Sequence, residues 1–196
     1  MSSAHTPLRT EIPESDKWDL TPLYTSDAGW EEDFSRLQKS YEGVANFKGK
    51  LGESAEGLAK CLEFEKGIDL IVDQLNQYAA LSVSGDSSNA EALAREARLD
   101  SLLVRVGEAF SFISPEIQEI PDEKFEAFLS DPALADWTIP LRKLRRRKLH
   151  TLSAAEERLL ALGSSAVRGH SETFSQLTNV DMLFGTLKDG EARIAN

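Results

Sequence analysis

The side chains best suited to catalysis or metal binding in this sequence are few and widely spaced. The three histidines are His5, His150 and His170, and the single cysteine is Cys61. No histidine lies in an H-E-x-x-H motif or has a second histidine or cysteine at ligand spacing, as a zinc site would require. Glu172 follows His170 by two positions, which places the two side chains on different faces of a helix. The spacing of these residues therefore predicts no metal site.

The sequence also lacks the common motifs for nucleophilic catalysis and phosphate binding. It contains no P-loop, no G-x-G-x-x-G and no G-x-S-x-G. Cys61 lies between Leu58 and Leu62 in an apolar helical pattern, which indicates a buried and inert thiol. Acidic pairs such as Glu156-Glu157 are typical of solvated helix faces or of helix starts, where the macrodipole favours them. We predict no catalytic, cofactor-binding or metal-binding residue in this chain.

The strongest charge feature is the basic run from Arg142 to Lys148, in which six of seven side chains are cationic. The whole chain has 22 basic and 33 acidic side chains, so 16 basic side chains accompany the 33 acidic ones outside the run. Such an acidic surface repels phosphate backbones, which argues against nucleic-acid binding.

Leucines interrupt the basic run at helical steps, at Leu141, Leu144 and Leu149. This spacing predicts a structural helix whose leucines are buried and whose arginines point outward, balanced by carboxylates of the same protein. The alternative is that the run binds an acidic peptide, a partner protein or another part of a longer chain.

Apolar residues at helical spacing dominate the sequence from Gly29 onward. One helix is predicted to start near Gly29, and a second runs from about Ala55 to Val83. A third begins at a capping box formed by Ser88 and Glu91, so the last two helices should form an antiparallel hairpin. The residues expected to be buried where the three helices meet are Phe34, Leu37, Leu75, Leu102 and Val106.

The remaining segments predict shorter elements. Pro115 should disturb the third helix near its end and Pro121 should close it, and short helices should follow around Phe125 and after Asp131. Ser153 and Glu156 form a second capping box. Near the C-terminal end, Asp189-Gly190 is typical of a tight turn in a short β-hairpin. The expected fold class is all-α, a long antiparallel helical hairpin within a helical bundle.

Three regions are predicted along the chain. Residues 1–17 form a polar, flexible lead, 18–180 a helical domain, and 181–196 the start of a β-hairpin. Trp18, Leu20, Leu23 and Tyr24 should dock the start of the helical domain onto its body. No segment has the apolar length of a signal peptide or a membrane span. The expectation is therefore a cytoplasmic protein without a membrane partner.

Four segments, taken in order and spacing, resemble the N-terminal region of the oligoendopeptidase F family, zinc metallopeptidases of the thimet-oligopeptidase group. The most distinctive is K-x-H-T-L-S-x-x-E-E, from Lys148 to Glu157. The segments are WDLTPLY, FISPEIQEIPDEKFEAFLSDPAL, RRRKLHTLSAAEERLLAL and LTNVDMLFGTLKDGE.

The resemblance implies a largely helical fold that encloses a channel for short peptides. In the family, an H-E-x-x-H helix and a more distant glutamate hold the zinc, and the glutamate of the motif is the general base. That motif is absent here, so no catalytic residue is carried over, and the chain alone is expected to be inactive and to bind no zinc. His150 is expected to shape the loop before Ser153.

The match covers roughly the first third of such an enzyme, and the predicted hairpin stops as its second strand begins. We therefore expect this part to wall the substrate channel and to pack against the remainder of its own polypeptide, including an absent catalytic domain. The alternative is a free-standing helical-hairpin module that binds an acidic partner through its basic stripe.

Overall fold

The computed structural model describes residues 9–150, 170–171, 173–178, 182, 187–189 and 192–194. Six α-helices lie between residues 9 and 150: α1 (Asp27–Ser40), α2 (Ala55–Gly85), α3 (Ala90–Phe110), α4 (Ile113–Glu119), α5 (Asp122–Leu129) and α6 (Thr138–Arg146). Residues 170–171 and 173–176 are also helical. Short 3-10 helices span Arg9–Glu11, Glu14–Asp16, Tyr41–Phe47, Pro132–Trp137 and Arg147–His150. Two strands, β1 (Leu187–Asp189) and β2 (Ala192–Ile194), pair antiparallel with Leu187 opposite Ile194. The all-α prediction is confirmed, with the hairpin as its only described β-structure.

The centre of the molecule is the hairpin of α2 and α3. A four-residue turn joins Gly85 to Ala90 at one end. At the other end Phe64 of α2 stacks on Phe110 of α3, with ring centroids 6.2 Å apart. The two helices are therefore antiparallel, as predicted. Within the described residues no helix has both the length and the apolarity needed to cross a membrane.

A first apolar cluster, which we call the hairpin core, lies where α1 covers α2 and α3. Trp30 is completely buried, and its indole Nε1 donates a hydrogen bond to the Leu75 carbonyl oxygen at 3.0 Å. Arg98 forms two hydrogen bonds with Glu31 and lies over the Phe34 ring. All five residues predicted to be buried at this junction are buried. The hairpin core comprises Tyr24, Trp30, Phe34, Leu37, Tyr41, Ile68, Leu75, Ala79, Leu99, Leu102 and Val106.

The start of α3 differs from the prediction by one residue. Asn89 is the N-cap, and its side-chain oxygen accepts hydrogen bonds from the backbone N–H groups of Glu91 and Ala92 at 3.0 and 3.1 Å. Ser88 instead donates its hydroxyl to Asp86 at 2.6 Å, within the preceding turn. The predicted Ser88–Glu91 capping box was therefore wrong, because the Ser88 hydroxyl is hydrogen-bonded to Asp86 and the side chain of Asn89 caps the helix. The second predicted box, Ser153 with Glu156, lies outside the described residues.

The segment before α1 docks at its end only. Tyr24 is buried, donates its hydroxyl to Asp33 at 2.9 Å, and packs edge-on against the Tyr78 ring. The Gln74 side-chain amide donates to the Leu23 carbonyl oxygen at 2.8 Å. Trp18, by contrast, is 61% exposed. The docking expected of Trp18 was wrong, whereas that of Leu23 and Tyr24 is confirmed.

A second apolar cluster, the short-helix core, joins the start of α2 to α4, α5 and α6. Helix α3 ends at Phe110, and α4 begins at Ile113 with Pro115 in its first turn, where a missing N–H breaks no helical hydrogen bond. Pro121 then precedes α5 as its N-cap. The short-helix core comprises Val44, Leu51, Ala55, Leu58, Cys61, Leu62, Ile113, Ile117, Ile120, Phe125, Phe128, Leu129, Leu134 and Leu141.

Candidate functional site

The structure describes the side chain of only one of the three histidines, His170. His150 ends the 3-10 helix Arg147–His150, and His170 is exposed. His5 lies outside the described residues. Across the described ranges, no group of three or more His, Cys, Asp or Glu side chains is placed to hold a metal ion.

Cys61 is fully buried in the short-helix core. Burial raises the pKa of its thiol to about 12, and the nearby charges of Glu65 and Glu116 act in the same direction. A thiol that stays protonated at neutral pH is a poor nucleophile and a poor metal ligand. The predicted burial of this cysteine is confirmed.

The basic run is part of a structural helix. Leu141 is buried on the side of α6 that faces the short-helix core, and Leu144 packs against the same core. Arg142 pairs with Glu126 of α5 at 3.1 Å. The predicted leucine face and internal charge balance are therefore present at these positions. Leu149, the third leucine of the pattern, has a side chain outside the described set.

Arg145 departs from the predicted outward fan of arginines. Its side chain is only 15% exposed and lies over the Phe125 ring, 4.6 Å from the ring centroid. One guanidinium nitrogen, Nη1, donates to the carbonyl oxygens of Ile117 and Gln118 at 3.4 and 2.8 Å. The other, Nη2, donates to the Ile120 carbonyl and to the Asp122 carboxylate.

These contacts give Arg145 a structural role that helical spacing did not reveal. The last carbonyl groups of a helix have no partner within the helix. At the end of α4, Arg145 supplies donors for three of them and pairs with Asp122 at the start of α5. The expectation that this arginine points outward was wrong, because its guanidinium group forms hydrogen bonds at the corner between α4 and α5.

A groove lies between α2 and the segment that leads into α6. Its volume is about 450 Å³, which is within the range of small-ligand sites. The apolar side of the lining includes Leu70, which is 63% exposed. The groove is lined by Leu62, Glu65, Lys66, Asp69, Leu70, Asp73, Asp136, Trp137 and Pro140. We call it the α2 groove.

Hydrogen bonds and a ring contact fix the wall of the α2 groove. The Trp137 indole Nε1 donates to Glu63 at 3.2 Å. Lys66 pairs with the same carboxylate group at 3.6 Å and lies 5.7 Å from the centroid of the Trp137 ring. The only ammonium group in the lining is thus already engaged with Glu63.

The carboxylates of the α2 groove repel one another. Burial raises the pKa of Glu65, and the charge of Asp69 raises it further. Burial likewise raises the pKa of Asp69, with Asp73 adding to the effect. The residues predicted from the sequence did not include these carboxylates. The spacing of Glu65, Asp69 and Asp73 by four residues could have indicated them, since it places all three on one face of α2.

Comparison with known proteins finds similarity to the oligopeptidases. The model of the family described as Oligopeptidase F matches residues 116–184. The chain is 29% identical to group B oligopeptidase PepB of Streptococcus agalactiae over 93% of its own length and 31% of the relative. It is 31% identical to oligoendopeptidase F of Lactococcus lactis subsp. cremoris over 92% of its length and 30% of that relative.

The fold agrees with these matches. The crystal structure of oligoendopeptidase F from Enterococcus faecium superposes with a TM-score of 0.74 and 26% identity, over 86% of this chain and 33% of that one. The chain spans about a third of the length of the curated relatives that it matches. Sequence segments, family model and superposition agree that the chain is similar to the N-terminal region of oligoendopeptidase F proteins.

Proposed function

We propose that this chain is the N-terminal helical domain of a zinc metalloendopeptidase that hydrolyses short peptides, and that it walls the substrate channel. The observation that carries the proposal is the match of 93% of the chain to an oligopeptidase of which it spans 31%. A chain that matches an enzyme over nearly all of its own length, but covers a third of that enzyme, corresponds to a part of the enzyme's structure.

Catalysis is assigned to another part of the polypeptide. The zinc implied by the family resemblance does not fit the described residues, which offer no cluster of three or more metal-ligating side chains. H-E-x-x-H is absent from the whole sequence. No step of hydrolysis is therefore given to any residue of this chain.

A wall that limits entry to short peptides must be rigid. Two apolar cores and the hydrogen bonds of Arg145 at the end of α4 support such a role. A rigid wall excludes folded proteins by size while admitting extended peptides. The same helices present the α2 groove as a concave surface for such peptides.

The alternative function, an interaction module that binds an acidic partner through the basic run, is less well supported. Arg145 is committed to the α4–α5 corner, and Arg142 pairs with Glu126. At least two of the six cations are thus engaged within the domain, which weakens the stripe as a binding surface.

The test is the activity of the polypeptide encoded by the gene, including any coding sequence downstream of Asn196. We expect it to contain H-E-x-x-H and to cleave an unstructured octapeptide, with activity lost to a zinc chelator and restored by zinc. A folded substrate of similar sequence, such as a small disulfide-bonded domain, should be resistant until it is reduced and unfolded. Cleavage of the folded substrate at a comparable rate would contradict the channel-wall role. A gene without H-E-x-x-H would contradict the peptidase assignment.

A further inference from the structure

We propose that the α2 groove binds a cationic segment of a short peptide, so that this domain selects substrates with closely spaced lysine or arginine residues. The inference rests on the proposed function, because a short peptide is the ligand class that the oligopeptidase assignment supplies. It goes further by naming the charge of that peptide and the residues that recognise it.

The first support is the charge of the lining. Glu65, Asp69, Asp73 and Asp136 contribute four carboxylates, against the single ammonium group of Lys66. Among the described residues, none of these four carboxylates forms an ion pair, whereas Lys66 is paired with Glu63 outside the lining. The groove therefore presents uncompensated negative charge: Glu65 is half-buried, and Asp69, Asp73 and Asp136 are exposed beside it.

The second support is the combination of acidic and apolar lining. Leu62, Leu70, Trp137 and Pro140 supply an apolar surface beside the carboxylates. A metal ion would leave that surface in contact with water. A peptide matches both halves of the lining, because it carries aliphatic and cationic side chains on one backbone.

The third support is the spacing of the carboxylates. Glu65, Asp69 and Asp73 recur every four residues along α2, which corresponds to about 6 Å at the rise of an α-helix. In an extended peptide, side chains two residues apart lie on one side at about 7 Å. A peptide laid along α2 can therefore present lysines at positions i and i+2 to successive carboxylates, with the intervening side chain turned toward the apolar lining.

Like-charge repulsion within the row favours a cation as the occupant. The raised pKa values of Glu65 and Asp69 show that their ionised forms are held unfavourably by burial and by one another. A bound ammonium or guanidinium group relieves that repulsion.

The experiment is a fluorescence-anisotropy titration of the 196-residue chain into a fluorescein-labelled octapeptide, at low ionic strength. The peptide carries two lysines separated by one leucine, and the control peptide has glutamine in place of both lysines. We expect the lysine peptide to bind at least about tenfold more tightly than the glutamine peptide. Binding should weaken as salt screens the charges.

Two triple variants test the location. Glu65→Gln, Asp69→Asn and Asp73→Asn together should weaken binding of the lysine peptide by about tenfold. A charge-matched triple at exposed positions elsewhere, Glu32→Gln, Glu53→Gln and Asp100→Asn, should leave the affinity within about twofold, since distant charges are screened. Far-UV circular dichroism confirms that all three proteins are equally helical.

Several results would overturn the inference. They are equal binding of the two peptides, no binding of either, or equal weakening by the two triple variants. The chain could also self-associate without binding peptide, and only the triple variant in the groove could abolish that self-association. This result would identify a second copy of the chain, rather than a peptide, as the occupant of the groove. Because the readout is binding to this domain, any of these results leaves intact the proposed function, which is tested separately by peptide hydrolysis.

Discussion

The hairpin core and the short-helix core achieve similar burial in different ways. In the hairpin core, three helices of 14, 31 and 21 residues bury regularly spaced side chains against one another. In the short-helix core, α4, α5 and α6 have only seven, eight and nine residues. Short helices gain less from burial along their length and have a larger share of unpaired backbone groups at their ends.

That difference explains where polar side chains matter. The hairpin core uses Arg98 at its edge, paired with Glu31 and placed over aromatic rings. The short-helix core draws Arg145 inward to satisfy the end of α4 and to hold the start of α5. Long helices are stabilised mainly by their apolar stripes, whereas the corner between two short helices depends on a specific donor.

The largest effect is expected in the hairpin core. Leu102 is fully buried between α3 and its neighbours. Leu102→Ala should lower the free energy of unfolding by about 2–5 kcal/mol, because it removes transfer energy and leaves a cavity. Denaturant titration measures the change. A loss below about 1 kcal/mol would mean that this core is loosely packed. Val104→Ala, at a position that is 72% exposed on the same helix, is the control and should have little effect.

The next effect tests the corner of the short-helix core. Arg145→Gln should cost about 1–3 kcal/mol, because the carbonyl groups at the end of α4 lose charged donors. Arg146→Gln removes the same charge from an exposed side chain one residue away and should change the stability by less than about 0.5 kcal/mol. Equal effects of the two substitutions would show that the loss comes from net charge rather than from the hydrogen bonds of Arg145.

These two residues also show what the sequence could reveal. Leu102 follows from periodicity alone, since buried positions on a long helix repeat every three or four residues. Arg145 does not, because nothing local to residues 142–148 indicates that Ile117, Gln118 and Ile120 will lie within reach of its guanidinium group. Local patterns therefore predicted the hairpin, whereas the corner depends on a contact between residues about 25 positions apart.

The α2 groove was missed for a related reason. Three of its four carboxylates lie on α2, but Asp136, Trp137 and Pro140 reach the groove from a separate segment. The spacing on α2 was readable in the sequence, and the opposite wall was not. A pattern on one element predicts a face of that element, and a site formed by two elements requires their packing.

A smaller effect is expected at the cap of α3. Asn89→Ala should cost about 1 kcal/mol, because two backbone N–H groups lose their acceptor. Ser88→Ala should cost less, since Ser88 contacts only the preceding turn. Thermal unfolding monitored at 222 nm ranks the two variants. A larger loss of stability for Ser88→Ala than for Asn89→Ala would support the capping box expected from the sequence.

The smallest effect concerns the α2 groove. Burial and Asp69 raise the pKa of Glu65 in the folded state, so the folded protein holds that proton more tightly than the unfolded chain. The resulting stabilisation is present at acidic pH and is lost as the pH rises through the folded pKa. At pH 7 Glu65→Gln should therefore raise the free energy of unfolding by a few tenths of a kcal/mol.

This gain should vanish below the unfolded pKa of glutamate, about 4.3. Denaturant titrations of the parent and the variant at pH 7 and at pH 3.5 measure both values. Glu32→Gln, on the exposed face of α1, serves as the control. Destabilisation by Glu65→Gln at pH 7 would contradict the electrostatic description of the groove.

The central claim is that this domain supports a catalytic centre that it does not itself contain. The decisive measurement is the zinc content and the peptidase activity of the 196-residue chain after dialysis against metal-free buffer, beside the same measurements on the polypeptide extended by its downstream coding sequence. We expect no stoichiometric zinc and no cleavage of an unstructured peptide by the chain alone, and both in the extended polypeptide. One equivalent of zinc retained by the chain alone, and lost when His150 and His170 are both changed to alanine, would contradict the account.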